Sequence, residues 1–197
     1  MVNELLQRVA RDLNRHGVSW ALVGGHAVCL RAEPRPTADV DIAVEVSDDA
    51  GAEALVASLN AVGYRVKERM VHDQAQRLAT VRMVWPQIEH VEHVVDLFFA
   101  SSGVETEVVR AADVLEVSRG LAIPVARTGH LIAVKLLWRA SEKRDRDLRV
   151  LLAVSSEQDL IEAREVIQLI TRRGYHRGKD LGRALAEHLE AVKGIDE

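Results

Sequence analysis

Apolar positions recur at helical spacing from the start of the chain. Leu5, Leu6, Val9 and Leu13 fall on one face of a predicted helix over 3–16, which His16-Gly17 closes. Ser19 to Val23 then reads as a short strand ending in Gly24-Gly25, followed by a short helical stretch to about Leu30. The segment Glu33-Pro34-Arg35-Pro36-Thr37 cannot be regular helix, because each proline lacks an N–H and restricts the residue before it. From Asp39 to Val46 the pattern alternates. Val40, Ile42, Val44 and Val46 point one way, and Asp39, Asp41, Ala43 and Glu45 point the other.

Ser47-Asp48 is a predicted N-cap for a helix over about 49–62. Gly63 ends that helix and a strand starts at Tyr64. Arg77 to Trp85 and Glu92 to Phe99 read as two strands joined around Pro86-Gln87. A helix near 103–110 and strands near 113–117 and 120–125 complete the mixed part. Beyond Thr128 the pattern is helical, over about 128–142, 144–154, 157–172 and 179–193. The expected architecture is α/β (α+β): a mixed sheet flanked by helices over 1–125, with a C-terminal helical subdomain over 126–197 that completes a cleft.

Composition narrows this picture. The 197 residues are 48% hydrophobic and 28% charged, which excludes disordered and collagen-like classes. No apolar run approaches the roughly 18 residues that span a bilayer. The charged, amphipathic N-terminus does not read as a signal peptide, so a cytoplasmic protein is expected. One cysteine, Cys29, permits neither an internal disulfide nor a Cys-based zinc site. The net charge of −4 is unevenly spread. Residues 1–125 carry 12 Lys+Arg against 18 Asp+Glu, whereas 126–197 carry 14 against 12. Arg139, Arg144, Arg146, Arg149, Arg172, Arg173 and Arg177 are either phosphate contacts or a solvated helix surface.

Neither GxxxxGK[ST], nor GxGxxG, nor HExxH is present. His90 and His93 read as surface histidines. The informative stretch is Val23-Gly24-Gly25-His26 followed by Arg35-Pro36-Thr37-Ala38-Asp39-Val40-Asp41-Ile42. Asp39 and Asp41 on one strand face would lie roughly 6–7 Å apart and repel unless a cation lies between them. Hard oxygen ligands without thiolate favour Mg²⁺ or Mn²⁺. Glycines between a strand and a helix expose N–H groups to which a triphosphate can dock. Arg35 and Thr37, beside the carboxylates, would steady phosphate or order the loop. Asp96, a lone charge in Val94-Val95-Asp96-Leu97-Phe98, is costly unless paired or metal-bound.

Gly24-Gly25, thirteen intervening residues, Asp39-Val40-Asp41-Ile42 and a later strand aspartate resemble the nucleotidyltransferase superfamily of the DNA polymerase β type. With Arg35-x-Thr37-x-Asp39-x-Asp41, the chain is similar to the AbiEii-like nucleotidyltransferases, the toxin component of type IV toxin–antitoxin systems. Leu131 to Leu148 is similar to that group's Lys-bearing helix and following aspartate segment, so the resemblance covers about 20–150. It differs in two places: a diglycine replaces the usual Gly-Ser, and Asp145-Arg146-Asp147 has a spacing of two where three is usual.

The resemblance implies a polymerase-β-like fold and a metal-dependent transfer of NMP from an NTP to a hydroxyl. Asp39, Asp41 and Asp96 would hold two Mg²⁺ (or Mn²⁺) ions, and Gly24, Gly25, Arg35 and Thr37 would hold the nucleotide. Lys135 would contact the triphosphate, with Asp145 or Asp147 as the second-motif aspartate. The acceptor would be a tRNA end or a protein hydroxyl, in a toxin–antitoxin or abortive-infection system with a cognate antitoxin. Two alternatives remain. One is a small-molecule, aminoglycoside-type transferase with Glu89, Glu92 and Glu105 as candidates for an acidic pocket. The other is a nucleotide-binding module of the same fold without turnover.

Overall fold

The computed structural model describes residues 2–73, 75–88, 91–139 and 141–194. Its elements run α1 (Val2–Arg15), β1 (Trp20–Leu22), α2 (Gly24–Arg31), β2 (Val40–Val44), α3 (Asp49–Ala61), β3 (Arg65–His72), β4 (Arg77–Ile88) and β5 (Val91–Phe98). They continue with α4 (Glu105–Ala111), β6 (Asp113–Ser118), β7 (Leu121–Val125), α5 (Thr128–Leu137), α6 (Glu142–Val154), α7 (Glu157–Arg172) and α8 (Leu181–Lys193). The expected α/β class holds: the strands form one seven-stranded mixed sheet in the order β3-β4-β5-β2-β1-β7-β6. Strand β2 lies at its centre, antiparallel to β1 and parallel to β5.

The predicted stripes are buried. Leu5, Leu6, Val9 and Leu13 of α1, and Val40, Ile42 and Val44 of β2, belong to one apolar core. That core runs on without a break through Val125 and Ala126 into Leu131, Leu136, Leu148 and Ile170 of the C-terminal helices. The Asp48 side chain caps α3 by accepting from Gly51 N–H, as its position suggests.

Four local expectations change. Gly24-Gly25 is not a turn before a helix but the first turn of α2 itself, with Val23 as its N-cap. Strand β2 begins at Val40, so Asp39 stands at a bend just before it. Pro86-Gln87 is no hairpin turn. Strand β4 continues through it to Ile88, which pairs with Val91, and the ladder is irregular between Trp85 and Ile88. A proline is accommodated at such an irregularity because no ladder N–H is required there. The helix expected over 128–142 ends at Leu137, and Ser141 caps α6 by accepting from Arg144 N–H at 3.4 Å. Lys179 Nζ takes up the C-terminal end of α5, donating to the carbonyls of Leu136 and Trp138. No described helix is long and apolar enough to cross a membrane.

Candidate active site

A cleft of about 390 Å³ opens between the face of the sheet formed by β2, β5 and β4 and helices α5 and α6. Its sheet wall is set by register. Asp41 of β2 pairs directly with Asp96 of the parallel strand β5, and Asp96 pairs with Arg82 of the antiparallel strand β4. Directly opposed residues point to the same face, about 4.8 Å apart across each strand boundary, so these three charges form one row. Asp39, from the bend, lines the same cleft.

The diglycine brings backbone against this row. Gly24 has φ +62, and a Cβ there would lie 1.8 Å from Asp41 Oδ2. Gly25 N–H donates to Asp41 Oδ2 at 3.3 Å. A Cβ on Gly25 would lie 2.7 Å from Thr37 Cγ2 and 2.9 Å from Arg35 Nη2. Any side chain at position 25 would thus meet the side chains of the Arg35–Thr37 loop.

Burial first, and then the nearby charge of Asp96, raise the Asp41 carboxyl to about 6, with the Gly25 N–H and Lys135 only partly opposing them. Asp96 is held differently. Both of its oxygens accept from Arg82, at 2.8 Å from Nε and 2.7 Å from Nη2. The expected trio of metal ligands is thus not assembled in this arrangement. Among the described residues, no three His, Cys, Asp or Glu side chains form a metal-holding group. Asp39 and Asp41 do fit a divalent cation: they are hard oxygen donors, and the uncompensated burial of Asp41 is what such a cation would relieve. Of the two states open to a lone strand aspartate, Asp96 is in the paired one.

The helical wall carries a second buried network. Lys135 Nζ donates to Asp147 Oδ2 at 2.6 Å, and Arg35 grips the same carboxylate through Nε at 2.6 Å and Nη2 at 2.8 Å. Asp147 is 1% exposed. Its burial alone would raise its carboxyl, but the hydrogen bonds from Arg35 and Lys135 outweigh this and hold it below the usual range. Burial pushes Lys135 below the ordinary lysine range, against the bond and charge of Asp147 and the charge of Asp41. The charge of Lys135 therefore acts on both walls.

Of the two candidate aspartates in α6, the geometry brings Asp147 into the cleft. Asp145 lies in the first turn and does not line it. Residues two apart on a helix point about 200° apart, so one wall cannot use both. Arg35 and Thr37 order the loop: Arg35 Nη1 donates to Thr37 Oγ1 at 2.8 Å and to the Pro36 carbonyl at 3.1 Å.

Some functional candidates escaped the sequence reading. Arg82 is the one whose signal was present, as the single charge in the apolar run Val81-Arg82-Met83-Val84-Trp85, matching the lone Asp96 across the ladder. Trp138 and Lys143 line the mouth together with Arg144, one of the arginines expected as phosphate contacts, and the Arg177 guanidinium covers the Trp138 ring at 4.0 Å. Arg146 and Arg173 are committed to Glu33 and Glu107. Glu105 also lines the cleft, but its Oε1 accepts from the backbone N–H groups of Ser101 and Ser102 and from Ser102 Oγ. Glu89, His90 and the side chain of Glu92 lie outside the described residues.

No protein-family model and no curated protein sequence matches this chain. Solved structures do. An antigenic nucleotidyltransferase-like protein from Paracoccidioides brasiliensis superposes with a TM-score of 0.54 at 15% identity, over 95% of this chain and 91% of the other. ANT(2″)-Ia, determined in complex with adenylyl-2″-tobramycin, superposes with a TM-score of 0.54 at 14% identity, over 84% of this chain and 96% of the other. The chain shares the fold of these two structures.

Proposed function

We propose that this chain is a metal-dependent nucleotidyltransferase that moves an NMP from an NTP to a hydroxyl acceptor. The observation that carries this is the approach of the Gly24-Gly25 backbone to Asp41, with Asp39 beside it and the Lys135–Asp147 pair on the opposite wall. Asp39 and Asp41 would hold Mg²⁺ or Mn²⁺, which when bound supplies positive charge to the triphosphate oxygens. The acceptor oxygen forms a bond to the α-phosphorus and the α–β bridging P–O bond breaks. Pyrophosphate departs, and the acceptor proton is released to solvent. Lys135, pre-oriented by Asp147, faces the negative charge that builds on the departing pyrophosphate. Arg35 and Thr37 hold the loop that keeps Gly25 against Asp41. Most of the catalytic effect is then positioning and electrostatics.

For the acceptor, a tRNA end or a protein hydroxyl fits better than an aminoglycoside. Lys143 and Arg144 put positive charge at the mouth, and the carboxylate of Glu105, which a polycation would need, is occupied by its own loop. The Arg35-x-Thr37-x-Asp39-x-Asp41 pattern supports a toxin of the AbiEii-like kind, with a cognate antitoxin as partner. The test is incubation with Mg²⁺, each labelled NTP, and panels of tRNA, protein and aminoglycoside. Transfer to tRNA or protein that Asp39→Ala or Asp41→Ala abolishes is the expected result. Label on the antibiotic alone would replace this reading with the small-molecule one. Calorimetric nucleotide binding with no pyrophosphate release in any panel would replace it with a binding module.

A further inference from the structure

The charged row on the sheet wall is longer than the cleft requires. Arg82 pairs in register not only with Asp96 on β5 but also with Glu68 on the edge strand β3. Across four adjacent strands the row therefore reads Glu68, Arg82, Asp96, Asp41, with one cation flanked by a carboxylate on each side. Arg82 here binds Asp96 with both arms of its fork. The Arg82 side chain is 36% exposed and Asp96 7%, so the cation, not the carboxylate, has room to move. The charges of Asp39 and Glu68 also act on the guanidinium.

We propose that Arg82 is a built-in counter-ion that competes with the divalent cation for Asp96, shifting toward Glu68 when the cation takes that carboxylate. This rests on the reading that Asp39 and Asp41 hold the metal. Without a cation, three carboxylates in one cleft repel one another, and the guanidinium neutralises the one nearest to it. Arginine cannot give up its charge by losing a proton, so it can vacate Asp96 only by moving. Glu68, its register partner on the other neighbouring strand beside an irregularity of that ladder, offers it a second carboxylate. Arg82 is thus a positioning residue: it sets how tightly the empty cleft takes up metal, acting through Asp96.

The experiment is Mn²⁺ binding to the full nucleotide-free chain, read by the loss of the free-ion electron paramagnetic resonance signal. Arg82→Gln should bind Mn²⁺ at least about tenfold tighter than the wild type, since a charge-assisted bidentate pair no longer has to open. Adding Asp96→Asn to Arg82→Gln should remove that gain. Glu68→Gln should bind more weakly than wild type, because the displaced guanidinium loses its second partner. Damage to the fold would not tighten binding, so the sign of the Arg82→Gln effect is diagnostic. Unchanged or weaker binding by folded Arg82→Gln, while Asp41→Asn abolishes binding, overturns the proposal and leaves the metal site standing. If Arg82→Gln fails to fold, unchanged affinity of Glu68→Gln overturns it. If Asp41→Asn binds like wild type, the underlying metal-site reading fails instead.

Discussion

Replacing Asp41 by Asn should make the metal-free protein more stable while removing transfer activity. The carboxyl titrates at about 6 in the folded chain against an ordinary value of 3.8. The folded state therefore holds the Asp41 proton more tightly than the unfolded state does. This group favours folding in acid and opposes it progressively as pH rises through the folded value. The gap of about two pH units corresponds to about 3 kcal/mol at pH 8, falling to about 0.5 kcal/mol at pH 4. Asparagine removes the buried charge yet keeps an oxygen that can accept from Gly25 N–H, so that contact survives. Urea unfolding of both proteins in EDTA, at pH 4 and pH 8, reads the difference directly. The variant should gain by 1–3 kcal/mol more at the higher pH, an order-of-magnitude figure given the range of single-site effects. Saturating Mn²⁺ should narrow the gap by stabilising only the wild type. Equal stability at pH 8, or a less stable variant, would mean that Asp41 carries no uncompensated charge, and the case for a cation beside it would be lost.

The second buried network should behave in the opposite way. Asp147→Asn strands Arg35 and Lys135 without their shared anion and should cost about 3–5 kcal/mol, measured by urea unfolding at pH 7. Since the folded Asp147 carboxyl lies below 3.8, its stabilisation is present above that pH and lost as pH falls through the folded value. The deficit of the variant should therefore shrink in acid. Gly25→Ser should destabilise by about 1–3 kcal/mol, because its Cβ meets Thr37 and Arg35. Thr37→Ser in the same chain should recover part of that loss in a thermal melt, since it removes the methyl group that clashes.

Much of the sheet was legible because burial on one face imposes a period of two. Val40, Ile42 and Val44 announce β2, and with it the direction of Asp41. The C-terminal helices were legible through their apolar stripes, but the break at Leu137 was not. Stripes do not record that Ser141 starts a new helix or that Lys179, forty residues on, satisfies the end of the old one. Asp39, Asp41 and Lys135 could be named as candidates because local spacing carries them. The partner of Asp96 could not, since it depends on how β4 and β5 align, and that alignment was misjudged by placing the turn at Pro86. Asp147 was one of two equal candidates until the helix phase distinguished them.

Asp96, the lone strand charge that the sequence marks as costly, and the buried Asp147 are each neutralised by an arginine far away in the chain or on another strand, Arg82 and Arg35. Asp41 lacks such a partner and shows the raised carboxyl. Asp147 is enclosed by two cations and 1% exposed, so it serves as a fixed anchor for Lys135 and the loop. Asp96 is held by one half-exposed arginine that has a second carboxylate in register, so its neutralisation is reversible. The cleft thus combines one rigid ion-pair network with one exchangeable pair, and the unpaired Asp41 lies between them, where a substrate-bound cation would complete the charge balance.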